Sequence, residues 1–183
     1  MSSPARELDL VELEAGLDFI RNAPRDAGTL EMIVRRPSSG EREELAAARL
    51  DPVDGLVGDR WGAALPRGSG QLTLIGSRVI GLIAQDRARW ALAGDQLYVD
   101  LDLSVGNLPA GTQLEVGDAL IEATGEPHAP CAKFRMRYGL DAARFVGSAL
   151  GKELQLRGIK TRILRAGDVR VGDSIRKLAA HVR

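Results

Sequence analysis

The stretch QLEVGDALIEATGEPHAPCAKFRMR, residues 113–137, decides how the rest of the chain is interpreted. Apolar and polar residues alternate on both sides of Gly117-Asp118, a pair typical of tight turns. This pattern predicts a hairpin with strands over Gln113–Val116 and Ala119–Thr124. The hairpin leads directly into a proline-rich segment and then into a short run of helix-compatible residues.

The Gly-Asp pair recurs along the chain. Val-Gly-Asp begins at Val57, Val116 and Val171, and Gly-Asp occurs again at Gly94 and Gly167. Because the flanking sequences do not match, we interpret these pairs as turns and not as a duplication. Short strands with frequent turns indicate a closed or folded-over antiparallel sheet. The predicted fold is mainly β, of the α+β kind and barrel-like, with short helices at its periphery.

Other elements follow from local patterns. Strands are predicted over Thr29–Arg36, Glu43–Leu50, Gln71–Ile75, Gln96–Val99, Arg157–Arg165 and Val171–Leu178. Helices are predicted from Leu8 to a stop at Pro24, over Arg78–Gln85 with Ser77 as cap, over Asp86–Leu92 and over Asp141–Leu150, with Gly55–Gly62 as a glycine-rich loop. We expect residues 1–28 to form an N-terminal helical arm whose first residues fray, 29–178 one β-barrel domain and 179–183 a tail.

Composition excludes several classes of function. The 25 basic and 25 acidic residues balance, so no overall field favours nucleic acid or an anionic membrane. Aromatic residues make up 4%, too few for a base-stacking platform. A single cysteine cannot form an internal disulfide, which fits a reducing compartment, and no run approaches membrane-spanning length. We therefore expect a cytoplasmic protein with neither nucleic-acid nor membrane partners.

The segment around the cysteine carries the candidate chemistry. Pro127 and Pro130 deny the backbone helix and ladder hydrogen bonds, which predicts a stiff loop, and a helix is predicted to start near Cys131. A thiol at a helix N-terminus beside the cations Lys133 and Arg135 has a lowered pKa and more thiolate, the form that binds metals. The alternative is a buried, inert cysteine. His128 either tunes the thiol or donates a proton, or is an ordinary surface residue.

Several spaced pieces of sequence now fall into one order. They are Gly58-Asp59-Arg60, Gln71–Ile75, Leu114–Ala119, Thr124, Pro130-Cys131, Arg157-Gly158-Ile159 with Arg162–Leu164, and Gly167 with Val171-Gly172-Asp173. In this order the set resembles the MOSC domain, the molybdenum cofactor sulfurase C-terminal domain, in its small stand-alone bacterial form. The resemblance covers roughly residues 29–178.

The resemblance implies a β-barrel of the kind seen in pyruvate kinase, with a site for the molybdenum cofactor (molybdopterin) or a sulfur species. It implies that Cys131 ligates molybdenum or carries sulfur, and that the protein reduces N-hydroxylated small molecules with electrons from a partner protein. A soft thiolate suits molybdenum, and guanidinium groups suit the phosphate of the cofactor.

Seven further residues are candidates for the cofactor site. Arg157 or Lys160 is expected to touch the phosphate, whereas Lys133 and Arg135 either hold an anion or are solvated helix charges. Asp59 and Arg60 either bind the cofactor or pair with each other. Thr73 either lends its hydroxyl or is a structural strand residue. No zinc set of the usual spacing and no nucleotide-binding motif is present in the sequence.

Two other functions compete with the oxidoreductase. In the first, Cys131 holds a persulfide received from a cysteine desulfurase and passes the sulfur on without redox chemistry. In the second, Cys131 is the nucleophile of a hydrolase with His128 as its base. We rank the hydrolase last because the sequence places no obvious orienting carboxylate beside these two residues.

Overall fold

A computed structural model describes residues 6–64 and 70–179. Residues 1–5, where fraying is predicted, and residues 180–183 of the predicted tail lie outside these ranges. None of the helices within the two ranges has the length and apolar composition that crossing a bilayer requires.

The chain alternates short strands with short helices. The strands are β1 (Ala27–Arg35), β2 (Glu43–Leu45), β3 (Ala47–Asp51), β4 (Gly55–Leu56), β5 (Leu72–Gly76), β6 (Leu97–Asp100), β7 (Gln113–Val116), β8 (Ala119–Ala123), β9 (Ile159–Arg165), β10 (Gly167–Arg170) and β11 (Ser174–Lys177). The helices are α1 (Leu10–Ala15), α2 (Leu17–Arg21), α3 (Arg60–Ala63), α4 (Ser77–Ala84), a 3₁₀ helix (Arg87–Ala93), α5 (Ala132–Tyr138), α6 (Leu140–Gly147) and α7 (Ala149–Glu153).

Seven strands close into a barrel, which confirms the predicted architecture. Their order is β1-β11-β7-β8-β9-β5-β6, and β6 returns to β1. β2 extends this sheet beside β1, and β10, β3 and β4 form a second sheet of three strands. The expectation of an antiparallel sheet is wrong at one pair, because β5 and β6 run parallel. The helix α4 and the 3₁₀ helix together provide the crossover that a parallel pair needs.

Two apolar clusters account for the burial pattern. One fills the barrel and includes Leu72, Leu74, Leu97 and Val99. The other lies between the outside of the barrel and the helices, and Tyr98 belongs to it. Strands β5 and β6 are thus buried on both faces, as their nearly continuous apolar sequences require. The hairpin β7–β8 instead shows the strict alternation that its sequence predicts.

Two strand-level predictions need correction. The predicted loop Gly55–Gly62 contains β4 and most of α3. The helix α3 forms because the Asp59 carboxylate accepts a hydrogen bond from Trp61 N and so caps its first turn. The pair Gly167-Asp168 is no turn but starts β10, which the sequence analysis missed. Gly167 passes so close to the β7–β8 turn that a Cβ atom there would lie 2.3 Å from Ala119 N.

Two long predicted helices are each a pair of shorter ones. The N-terminal helix is divided at Gly16 into α1 and α2, and the helix predicted over Asp141–Leu150 is divided at Ser148 into α6 and α7. Ser148 caps α7 through Gly151 N, and such side-chain bonding competes with a continuous helix. Ser77 is the first residue of α4 and makes no capping bond, so its predicted role is wrong.

Candidate functional site

Three strand ends bring the site together at one end of the barrel. Leu97 at the start of β6 pairs with Leu74 in β5, which also pairs with Ile159 at the start of β9. Two residues further along β9, Thr161 pairs with Ala123 at the end of β8. Asp95 precedes β6, Arg157 precedes β9 and His128 follows β8, so this register places all three side chains next to one another.

Arg157 and Asp95 form a buried ion pair. Their side chains are 6% and 0% exposed, and Arg157 Nη1 donates to Asp95 Oδ2 over 2.6 Å. The next residue, Gly158, has φ +96°, and a Cβ atom on it would lie 2.1 Å from the Leu74 carbonyl oxygen. The close backbone approach predicted at this glycine is therefore made to β5, and it fixes Arg157 in place.

His128 lies against the same carboxylate. Its Nδ1 is 3.8 Å from Asp95 Oδ1, too far for a hydrogen bond, and its side chain is 15% exposed. Burial lowers the pKa of His128 from 6.5 to about 4; the charge of Asp95 opposes this, and the charges of Arg157, Lys160 and Arg36 add to it. The imidazole is therefore neutral at pH 7. The proximity of Asp95 favours the tautomer with the proton on Nδ1.

An apolar cavity of about 400 Å³ opens beside His128. Its apolar wall is formed by Val105, Leu108, Pro109, Ala110, Pro127, Ala129, Pro130 and Val146, and its polar and charged residues are Glu126, His128, Lys152, Gln155 and Arg157. Within the described ranges, His128 Nδ1, Asp95 Oδ1 and Arg157 Nε are buried without a hydrogen-bond partner. Buried polar atoms are rarely left unpaired, and where they are, a water molecule or a ligand commonly completes them.

The end of the 3₁₀ helix is tied to side chains from three distant segments. The carbonyl oxygens of Leu92, Ala93 and Gly94 accept hydrogen bonds from Arg137, Arg157 and Arg36 respectively. One turn earlier, the Trp90 carbonyl oxygen accepts a hydrogen bond from the Tyr98 hydroxyl. These side chains satisfy the carbonyls that a helix end leaves unpaired, and they fix the residue that follows, Asp95.

Cys131 faces a different recess. It is the residue before α5, as predicted, and its free thiol is exposed, which excludes the buried, inert alternative. The open depression around it, about 700 Å³, is also lined by Glu7, Arg135, Met136 and Leu140. Pro130 borders both recesses, so the segment Pro127–Cys131 separates Cys131 from the cavity of His128.

This separation bears on the hydrolase hypothesis. The expectation that no carboxylate orients His128 is wrong, because Asp95 lies beside it. Cys131 and His128 nevertheless line different recesses, so the structure forms no nucleophile–base pair of the kind that a cysteine hydrolase requires.

The remaining predicted residues are dispersed, and most already have partners. Asp59 is buried and pairs with Arg36 instead of Arg60. Burial alone would raise the pKa of Asp59, but the hydrogen bonds and charge of Arg36 hold it below its usual value. Thr73 donates its hydroxyl proton to Gln96 Oε1. Lys160 lies across the sheet from Thr73 and forms an ion pair with Glu126 over 3.6 Å.

Among the predicted cofactor-binding residues, Lys133, Arg135 and Arg60 are exposed to solvent. Arg135 shares the depression with Cys131. No cluster of three or more His, Cys, Asp and Glu side chains suited to a metal ion occurs within residues 6–64 and 70–179.

Sequence reasoning missed Asp95 and Arg36. Asp95 belongs to a Gly-Asp pair, and the turn that such a pair predicts does exist, since Gly94 has φ +87° and ends the 3₁₀ helix. The turn explains the glycine but not the aspartate, whose side chain is fully buried. No local signal marked the aspartate, because its partner Arg157 lies 62 residues further along the chain.

The chain was compared with curated proteins and with solved structures. No curated protein matches the chain by sequence. Among solved structures, the YuaD protein of Bacillus subtilis is 20% identical with a TM-score of 0.57, covering 81% of this chain and 94% of its own. YiiM from Escherichia coli is 18% identical with a TM-score of 0.54, covering 82% and 70%. YiiM from Geobacillus stearothermophilus is 14% identical with a TM-score of 0.51, covering 87% and 76%. These likenesses show a shared fold.

The sequence model of one domain family matches residues 59–176, which include every strand from β5 to β10, most of β11 and the whole cysteine segment. This family is associated in general with the molybdenum cofactor. The match covers well over half of the chain, and the barrel observed here agrees with it. The chain belongs to the MOSC domain family.

Proposed function

We propose that the protein is a molybdenum-cofactor-dependent oxidoreductase that reduces N-hydroxylated compounds, with Cys131 as the protein ligand of the metal. The observation that carries the proposal is the exposed, free thiol of Cys131 in an open depression of a MOSC domain. In such a reduction the N–O bond breaks, and two electrons and two protons convert the N–OH group into N–H and water. The electrons come from a partner redox protein.

The chain's own groups fit the cofactor at this depression. The Cys131 sulfur is a soft donor of the kind that binds molybdenum, and it is open to solvent. Arg135 lines the same depression and is available for the cofactor's phosphate, and Lys133, two residues after Cys131, is a second exposed cation in α5. When bound, the cofactor supplies the two-electron redox chemistry.

The other predicted ligands have structural roles in this arrangement. Arg157 is committed to Asp95, Lys160 to Glu126 and Asp59 to Arg36. Their charges are largely neutralised by these partners, so the phosphate-binding role falls to Arg135 and Lys133. His128, predicted to tune the thiol or donate a proton, lines the separate cavity, so this proposal gives it no role at Cys131.

Elemental analysis tests this proposal. The full-length protein made in a host that synthesises the cofactor should contain molybdenum and pterin in near-equal amounts, and Cys131→Ser should lose most of both. Arg135→Ala should lower occupancy several-fold, whereas Arg144→Ala, on the exposed surface of α6, should keep it. Folded protein that never acquires either component defeats the proposal, as does a Cys131→Ser variant with unchanged metal content.

A non-redox sulfur carrier is the second candidate. The observation that favours it is the width of the depression, whose rim carries the exposed side chains of Met136 and Leu140. A thiol so placed is accessible to another protein, such as a cysteine desulfurase. Intact-protein mass spectrometry after incubation with a desulfurase and cysteine should show one added sulfur atom on wild type and none on Cys131→Ser. No addition to the wild type removes this candidate.

A further inference from the structure

The cavity beside His128 is separate from the Cys131 depression, and nothing described so far occupies it. Ligand-binding cavities typically measure about 300–1,000 Å³ and combine apolar walls with a few fixed polar groups. This one has a volume of about 400 Å³ and a largely aliphatic and proline wall, with His128, Arg157, Gln155, Glu126 and Lys152 as its polar and charged residues. Its size and lining therefore suit the apolar body of a small organic molecule.

The tautomer of His128 defines which group the ligand carries. The Nδ1 side of the ring is buried and faces Asp95 Oδ1 at 3.8 Å, so a proton on Nδ1 is electrostatically favoured. His128 lines the cavity, which leaves Nε2 as the ring nitrogen directed there. A neutral imidazole with its proton on Nδ1 presents a lone pair on Nε2. The ligand is therefore expected to donate a hydrogen bond.

The ion pairs around His128 favour a ligand without net charge. The positive charge of Arg157 is compensated by Asp95 over 2.6 Å, and both side chains are almost fully buried. A carboxylate placed at Nε2 would meet a lone pair instead of a donor. An ammonium group would leave water without a free carboxylate to receive it, because Asp95 binds Arg157 and Glu126, which lines the cavity, pairs with Lys160 over 3.6 Å. The charge of Lys152 adds little attraction for an anion, because its side chain is exposed to solvent.

We propose that this cavity binds an uncharged, apolar small molecule carrying an O–H or N–H donor, which His128 Nε2 accepts, with Asp95 as the positioning residue for the imidazole. The orienting role of Asp95 is supported by its buried Oδ1, which has no hydrogen-bond partner and lies 3.8 Å from the equally unpartnered His128 Nδ1. The proposal requires no cofactor and no role for Cys131. It therefore stands separately from the oxidoreductase and sulfur-carrier proposals.

Three probes of one shape test it: 2-naphthol, its methyl ether 2-methoxynaphthalene, and the anion 2-naphthoate. Titration calorimetry on the full-length protein at neutral pH should show 2-naphthol binding about ten-fold more tightly than the ether, although the ether is more apolar. 2-Naphthoate should bind most weakly. Equal affinity for 2-naphthol and the ether, tighter binding of 2-naphthoate, or no binding of any probe overturns the proposal.

The variant His128→Phe keeps the ring volume and removes the acceptor, so the preference for 2-naphthol over the ether should disappear while the ether still binds. If that variant does not fold, nitrogen NMR of the wild type gives the same information. The Nε2 resonance of His128 should shift with 2-naphthol and not with the ether.

Backbone NMR also locates the bound probe. Amide shifts should concentrate at Gly147 and Gly158, which line the cavity, and spare Gly139, which lines the Cys131 depression. The opposite pattern refutes the assignment to this cavity. Because no probe needs molybdenum, the result is independent of the metal analysis.

Discussion

At the scale of single residues, the buried ion pair Asp95–Arg157 is the main electrostatic interaction of the site. We expect Asp95→Asn to lower the free energy of unfolding by about 3 kcal/mol, because it leaves the buried Arg157 charge without its partner. Asp168→Asn is the matched control, since Asp168 pairs with Arg49 while both are more than half exposed, and we expect a change below about 0.5 kcal/mol. Urea unfolding measures both, and equal effects would contradict the buried role of Asp95.

His128 gives a second residue-scale prediction, in the dependence of stability on pH. Its pKa is about 4 in the folded protein and 6.5 when unperturbed, so between these values the unfolded chain binds a proton that the native state does not. The contribution of His128 is fully present above pH 6.5 and is lost as the pH falls to 4. Over the full range it amounts to roughly 3 kcal/mol, of which the part above pH 4.5 is smaller.

The measurement compares unfolding of wild type and His128→Phe at pH 7.5 and pH 4.5. The wild type should lose about 2 kcal/mol more than the variant over this interval. Comparison with the variant removes the contribution of the carboxylates. Parallel pH profiles of the two proteins would show that His128 titrates normally.

At the scale of elements, the contact between β5 and β9 depends on one glycine. Gly158 and Gly172 have nearly the same φ, +96° and +95°, but only Gly158 has a neighbour within reach of an added Cβ, the Leu74 carbonyl oxygen at 2.1 Å. Gly172→Ala should cost about 1 kcal/mol of conformational strain. Gly158→Ala should cost at least about 3 kcal/mol more by unfolding, because β5 and β9 must separate. Similar costs for both variants would show that backbone conformation alone matters.

The elements also show why prediction succeeded in some places and failed in others. The β7–β8 hairpin is local: alternation and the Gly117-Asp118 turn specify it within a dozen residues, and α5 follows from an unbroken run after Cys131. The meeting of Asp95 with His128 depends instead on the parallel β5–β6 pair and on the β8–β9 register. Such pairings join residues distant in sequence, and a single sequence carries no local signal for them.

The same contrast applies to the candidate site. The exposed cysteine before a helix was predictable from prolines, charges and resemblance, because all lie within one segment. Among the cationic residues predicted as ligands, Arg157 proved to be the partner of the buried Asp95 and Lys160 the partner of Glu126, whereas Arg60, Lys133 and Arg135 are exposed. A sequence shows that an arginine is present, but whether its charge is free depends on what the fold places beside it.

At the scale of the whole molecule, stability depends on closing the barrel. β11 joins β1 to β7, and Ile175 in β11 is fully buried in the barrel cluster. We expect Ile175→Ala to cost about 2–5 kcal/mol and to raise hydrogen exchange in all the barrel strands together. Val171→Ala, at a site 42% exposed, should cost less than about 0.5 kcal/mol. Increased exchange confined to β11 would indicate that the barrel does not unfold as one unit.

The tethered end of the 3₁₀ helix has a consequence for how this protein can change over evolutionary time. Arg137, Arg157 and Arg36 grip main-chain oxygens, and every amino acid supplies the same oxygen. These hydrogen bonds therefore place no demand on the side chains of residues 92 and 93, whose identities are limited by packing in the outer apolar cluster. Adding or deleting a single residue at positions 92 and 93 would misalign all three hydrogen bonds and move Asp95 away from Arg157. A library of variants at these positions should therefore retain conservative substitutions and lose insertions and deletions.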